Sequence, residues 1–270
     1  LTVTQDDPSV DPPVRPPTAA ERQASLPFRV RFDEATPDGR IRTSVLLRFA
    51  AELAGVHSAQ RGFGREWYRR RGLAWLVRGV DLEILRPIVH GDELTGTTEP
   101  VAARKVLARR ATRFIGPDGQ LVARLTVDWA LTDERGAPTR IPALFGVAFG
   151  MVDRTFAPIR VRAVPPAGAP LAALELIVRP HELDPMGHVN NAVYLDWAEE
   201  ALAAQLTPVE PARTGSVLAA VPRHWQLEYL GAAGPARRVT LTAWRAERGW
   251  YCRVVDAVSG EVLVGACLEA

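Results

Sequence analysis

The chain repeats itself. Residues 30–54, VRFDEATPDGRIRTSVLLRFAAELA, align without a gap on residues 178–202, VRPHELDPMGHVNNAVYLDWAEEAL, at a shift of 148. Nine of the 25 columns are identical: Val30/Val178, Arg31/Arg179, Glu34/Glu182, Pro37/Pro185, Gly39/Gly187, Val45/Val193, Leu47/Leu195, Ala50/Ala198 and Glu52/Glu200. Arg78/Arg223, Leu82/Leu227 and Glu83/Glu228 continue the echo at a shift of 145. A duplication of this kind requires each half to fold by the same plan.

The plan is readable within each copy. A short strand (28–32; 174–178) leads into a loop containing Pro and Gly, and a helix follows. Val45, Leu46, Phe49 and Leu53 recur at helical spacing in the first copy, as do Val193, Tyr194, Trp197 and Ala201 in the second. Each helix therefore has an apolar stripe to bury against a sheet. Strand-like segments come next, at 73–85, 93–100, 106–115 and 121–132, then at 217–230, 238–246, 250–256 and 262–269. Pro117-Asp118-Gly119 and Ser259-Gly260 mark tight turns. One strand, one long helix and about four antiparallel strands is α+β order, not the alternation of a doubly wound sheet.

Length agrees with two domains, since 270 residues divide comfortably into two of ordinary size. Residues 1–25 are rich in Pro, Asp, Ser and Thr and read as a disordered or surface-draped tail. The first half spans 26–141. Residues 142–172, broken by Pro158, Pro165, Pro166 and Pro170, read as a connection running across the surface. The second half spans 173–270. A net charge of +2 argues against nucleic-acid binding. The two cysteines, Cys252 and Cys267, read as strand residues in a reducing compartment. There is no signal peptide and no long apolar run, so a cytoplasmic protein without a membrane span is expected.

The copies differ where chemistry would matter. The second has Asp184 and His188 flanking Gly187, where the first has Thr36 and Arg40. One carboxylate and one imidazole in one copy imply a single working site, with the other copy as scaffold or substrate wall. A carboxylate can serve as nucleophile or as base for a water. A helix beginning near Asn190 and Asn191 offers unpaired N–H groups and the positive end of its dipole to a developing oxyanion. Gly187 lets backbone or substrate approach closely. His188 can position the carboxylate or protonate a departing thiol. The plainer roles stand beside these: Asp184 as a loop or cap residue, and Asn190 and Asn191 as helix caps.

The stretch Leu183-Asp-Pro-Met-Gly-His-Val-Asn-Asn-Ala-Val-Tyr-Leu-Asp-Trp-Ala-Glu-Glu200 closely resembles the active-site loop and central helix of the acyl-ACP thioesterases. Gly72-Leu-Ala-Trp-Leu-Val-Arg-Gly-Val-Asp-Leu-Glu83, His90-Gly-Asp92 and Ile141-Pro142 resemble that family's N-terminal half. The resemblance implies a tandem (double) hotdog fold, each half a long helix wrapped by an antiparallel sheet. It also implies hydrolysis of a fatty acyl thioester on acyl carrier protein, or on CoA, with no metal or other cofactor. Asp184 and His188 inherit the catalytic pair, with Asn190 and Asn191 at the helix start. Plant members carry an Asn where this chain has Met186, and a Glu-Cys pair where it has Ala232 and Ala233. Glu199 and Glu200 are the carboxylates within reach as substitutes, Glu200 being the candidate, with solvation on an exposed face as the plainer role.

A basic cluster, Arg69, Arg70 and Arg71, is a candidate contact for an acidic carrier or a phosphopantetheine phosphate, or simply a solvated face. His57, His90 and His224 lack metal-ligand spacing. Competing functions are a non-catalytic acyl-thioester binder and a dehydratase on the same fold. The latter needs a differently placed Asp/His pair, which the sequence lacks. Monomer and homodimer are both compatible with two such halves in one chain.

Overall fold

The fold is that of a computed structural model, which describes residues 11–12, 14–151, 155–165, 173–206, 217–246 and 249–269. The first half runs β1 (Ala24–Arg29), α1 (Thr43–Gln60), α2 (Arg65–Arg70), β2 (Ala74–Ile84), β3 (Glu93–Arg104), β4 (Leu107–Ile115), β5 (Leu121–Thr132) and α3 (Ala143–Phe149). The second runs β6 (Ala173–Ile177), α4 (Asn191–Leu206), β7 (Arg223–Tyr229), β8 (Arg238–Ala246), β9 (Gly249–Asp256) and β10 (Val262–Glu269).

All ten strands form one antiparallel sheet in the order β1-β3-β4-β5-β2-β7-β10-β9-β8-β6. The order reads identically outward from the centre in both directions, as the duplication requires. β2 and β7 join the halves, with Gly79–Ile84 paired to Arg223–Glu228. α1 packs on β1 and β3, α4 on β8, β9 and β6, and the two helices touch. The stripes read from the sequence are the buried ones: Val45, Leu46, Phe49 and Leu53, and Val193, Tyr194, Trp197 and Ala201. They belong to one apolar core that continues through both halves.

The loops before α1 and α4 are copies in geometry as well as sequence. In each, a 3-10 turn is closed by a buried glutamate that accepts the backbone N–H of an arginine three residues earlier, Glu34 from Arg31 at 2.9 Å and Glu182 from Arg179 at 2.7 Å. Arg42 N donates to Glu34 O and Asn190 N to Glu182 O. Gly39 and Gly187 have φ of +82° and +79°, a left-handed conformation that glycine adopts without strain.

Three stretches differ from the sequence reading, one of them the start of 217–230, read as strand: residues 217–219 are helical and β7 begins at Arg223. Residues 143–149, read as the start of a surface connection, form α3, whose Phe145, Ala148 and Phe149 are buried with Phe63 and Trp67 beside α2. Aromatic bulk at positions 145 and 149, one helical turn apart, carries that burial. The connection proper crosses the outer face at the junction of the halves. Ile159 N donates to Asp128 on β5 and Val161 N to Glu228 on β7, both at 2.9 Å. A Cβ on Gly79 would stand 2.7 Å from Ile159, so glycine admits the crossing strap. Residues 14–23 drape on the surface, and β1 begins at Ala24, not near 28. The tail before residue 11 and the Pro-rich 166–170 lie outside the described residues. Cys252 and Cys267 are both buried and not joined to each other.

The same junction carries a titrating contact. His224 Nε2 on β7 lies 3.0 Å from Asp81 Oδ1 on β2, and that hydrogen bond raises the His224 pKa. A raised folded-state value gives stability that is complete below the unfolded value and fades as pH rises through the folded one. The unfolding midpoint of the native chain should therefore fall by more than that of His224→Gln as pH rises above the usual imidazole range. The half-exposed pair contributes at most about 1 kcal/mol. Equal pH slopes for the two proteins in thermal melts would remove His224 from the account.

Candidate active site

Asp184 lies at the start of the loop that enters α4. Its Oδ1 accepts the backbone N–H of Met186 at 2.8 Å and of His188 at 3.4 Å, an Asx-type turn, while its own N–H donates to His188 O at 2.8 Å. Oδ2 has no partner among the described residues. Met186, Gly187 and His188 are exposed at the loop tip. No hydrogen bond or ion pair joins the His188 imidazole to the Asp184 carboxylate among the described residues.

Val189 returns the chain to the core, and its N–H donates to Ala233 O at 3.0 Å. Ala233 N donates to Tyr194 Oη at 2.8 Å, and Tyr229 Oη donates to Asn191 O at 2.9 Å. The residues after β7 thus brace the loop at the place where the sequence comparison found alanines. Asn190 caps α4: its Oδ1 accepts Ala192 N–H at 3.0 Å and its carbonyl accepts Val193 N–H at 2.9 Å. The Asn191 N–H is left without an acceptor among the described residues.

Asn190, Asn191 and Ala192 form one wall of a cavity of about 280 Å³. Its other walls belong to the first half: Leu47 and Ala51 of α1, Val77 and Val80 of β2, Val127 and Trp129 of β5. A second chamber of about 210 Å³ adjoins it, sharing Ala51, Arg110 and Trp129, and ends among Tyr68, Trp75, Phe145 and Phe149. The start of the second half's helix therefore opens into a mixed cavity, lined also by Arg48, Glu52, Arg110 and Thr112, that continues into an apolar chamber inside the first half.

The equivalent place at the other helix carries a hydrogen-bonded carboxylate beside an open, charged groove lined by Arg42, Asp196, Glu199 and Glu200. At the shift of 148, α1's Thr43 corresponds to Asn191, and Glu199 corresponds to Ala51. Thr43 Oγ1 donates to Glu199 Oε1 at 2.5 Å and accepts from the buried Arg223 at 3.3 Å. Burial pushes the Glu199 carboxyl up. The sequence reading of Glu199 as a solvated residue is corrected here: the carboxylate is turned inward onto Thr43. Glu200, the candidate supporting carboxylate, lies further along α4 in a groove with Arg179, Glu182 and Asp196, and burial raises its pKa as well. It does not line the cavity at Asn190–Ala192.

The arginine cluster is largely spoken for. Arg69 pairs with Glu66 at 2.5 Å, Arg70 with Glu66 at 3.8 Å, and Arg71 with Asp11 at 2.5 Å while stacking over Trp67. Among the described residues one trio, Asp81, Glu83 and His224, is close enough to share a cation. Asp81 also accepts from Gln226 at 2.7 Å, and Glu83 accepts from Arg124 at 2.6 Å, so these groups form an ion-pair lattice on the outer face.

A model of the acyl-ACP thioesterase N-terminal domain matches residues 23–142, and one of the C-terminal domain matches residues 170–212. Together they cover more than half of the chain. The chain belongs to the acyl-ACP thioesterase family. It is a thioester hydrolase acting on fatty acyl thioesters. Solved structures repeat the fold. A protein assigned as an oleoyl thioesterase from Lactobacillus plantarum superposes with a TM-score of 0.77 at 20% identity, covering 91% of this chain and 94% of that one. An acyl-ACP thioesterase from Bacteroides thetaiotaomicron gives 0.74 at 16% identity, covering 93% and 99%. The 12:0-ACP thioesterase from Umbellularia californica gives 0.74 at 19% identity, covering 92% and 96%. No curated protein matches the sequence. No helix of the described thioesterase chain is long and apolar enough to cross a membrane.

Proposed function

We propose that the chain is a tandem hotdog that hydrolyses fatty acyl thioesters of acyl carrier protein at a single site. Residues 26–141 form the non-catalytic copy and residues 173–270 the catalytic one, with 142–172 between them. The observation that carries this reading is the asymmetry of the two helix starts: one opens on a cavity that runs on into an aromatic-lined chamber of the first half, and the other has Glu199 hydrogen-bonded to Thr43 beside a charged groove.

The acyl chain lies in the cavity, with its thioester carbonyl at the start of α4. The free Asn191 N–H and the helix dipole hold the oxygen as it gains charge. Asp184 takes a proton from water through Oδ2, and the oxygen of that water attacks the carbonyl carbon. The carbon–sulfur bond breaks, and the thiolate leaves with a proton from His188 or from solvent. His188 sits at the loop tip, beside the path of a carrier arm. The products are a free fatty acid and the carrier thiol. Met186, Ala232 and Ala233 bring no carboxylate or thiol to the loop, so Asp184 is the base.

Acyl-ACP and acyl-CoA of matched chain length, followed by thiol release, test the reading. Faster turnover of the acyl-ACP is the expected result. Tight acyl binding with no release would favour the alternative, a non-catalytic thioester binder. The observation behind that alternative is that Asp184 Oδ1 is already occupied by two amides of its own loop.

A further inference from the structure

A cation without an ion-pair partner among the described residues stands in the acyl cavity. Side chains alternate along β4, so its two central arginines part company. Arg109 pairs with Asp128 at 2.6 Å. Arg110 lines both chambers and has no ion pair among the described residues. Its protein partner is His57, with Arg110 Nη1 3.0 Å from Nδ1. The other ring nitrogen, Nε2, lies 3.0 Å from Glu21 O. A carbonyl oxygen only accepts, so Nε2 carries the hydrogen and Nδ1 accepts from Arg110. His57 is therefore neutral, and burial holds its pKa down to about 4. It aims the guanidinium and supplies no charge. Burial lowers Arg110 only to about 10, so it stays cationic at neutral pH.

Trp129 lines the same two chambers, but its indole Nε1 is closed off from them. The donors at the junction of the chambers are those of the Arg110 guanidinium, which have no acceptor but His57 among the described residues, next to Trp75, Phe145 and Phe149. A plain hydrocarbon chain would strip water from these donors and give nothing back, whereas an oxygen on the chain would pair with them. A carboxylate would also neutralise the cation.

We propose that the cavity selects acyl groups bearing an oxygen acceptor on the chain, a hydroxyl, keto or carboxylate oxygen, and that Arg110 binds it. This rests on the reading that the cavity holds the acyl group. Native and Arg110→Met proteins are offered length-matched thioesters: saturated, hydroxylated or oxidised to ketone at successive carbons, and carboxylated at the far end. The native protein should favour at least one oxygenated series by about tenfold or more in kcat/KM, and Arg110→Met should erase or invert that ratio. Arg110→Lys keeps the charge but loses the guanidinium fork and should lower the ratio partway, a readout that survives if Arg110→Met does not fold. Calorimetry with the corresponding free acids needs no hydrolysis. Arg110-dependent binding of oxygenated acids without thiol release would uphold the inference and overturn the hydrolytic reading. Preference for plain chains in both assays, or a ratio unmoved by either substitution, would overturn the inference.

Discussion

Asp184→Asn should lower kcat for thioester hydrolysis by about 10²- to 10⁴-fold, the range over which positioned bases act. The substitution isolates the chemistry from the fold. An asparagine Oδ1 still accepts from Met186 N and His188 N, so the loop keeps its turn and the melting point should not move. An amide cannot take the proton that the attacking water must lose. Thiol release from a single acyl-ACP, measured alongside thermal unfolding, is sufficient. A variant that hydrolyses at the native rate with a native melting point would move the base elsewhere, with Glu52, the carboxylate that lines the cavity at Asn190–Ala192, next in line.

The second large effect should come from Ala51→Glu, which copies into the first half the carboxylate that stands at the matching position of the second. Ala51 lines both chambers, so a longer side chain there occupies the space where the acyl chain enters from α4. The new carboxylate would share that space with the unpaired Arg110, so its charge is compensated and the fold should hold. Displacing the acyl chain from the helix start should cost about 10²-fold or more in kcat/KM, because small misplacements of reacting groups carry losses of that size. A short acetyl thioester, which needs little of the cavity, should suffer less than a long one. Equal losses for both would mean that the cavity is not the acyl site.

Much of this was legible in the sequence, for identifiable reasons. The repeat fixed the symmetric sheet because two copies of one pattern must bury equivalent stripes, and Val45, Phe49, Val193 and Trp197 do so. β5, β8 and β10 fall where the strand pattern puts them, since a pleated, half-buried strand keeps its period of two. Asn190 proved to be the cap its residue type suggests. What escaped depends on how the halves meet. α2 and α3 are short and gain stability by packing their aromatics on each other, which no local period announces. The inward turn of Glu199 depends on Thr43, 156 residues away in the chain, and on Arg223. Arg110 looked like one more arginine in an arginine-rich chain, and only tertiary structure separates it from Arg109. The comparison of columns did hold one unread signal: Ala51 opposite Glu199 is a small residue against a charged one on the same helix face.

The position of β2 and β7 at the middle of a ten-stranded sheet has a consequence for any severed form of the chain. Cutting between the halves would bare one long strand on each piece, with its row of backbone donors and acceptors unpaired. The register of that seam is nearly symmetric, because the two strands are related copies running antiparallel. A liberated half therefore carries on its own edge a template for a second copy of itself. Separate halves should recombine in mixed and self-matched pairs, and the covalent link between them acts as the device that enforces the unlike pairing on which a one-sided site depends.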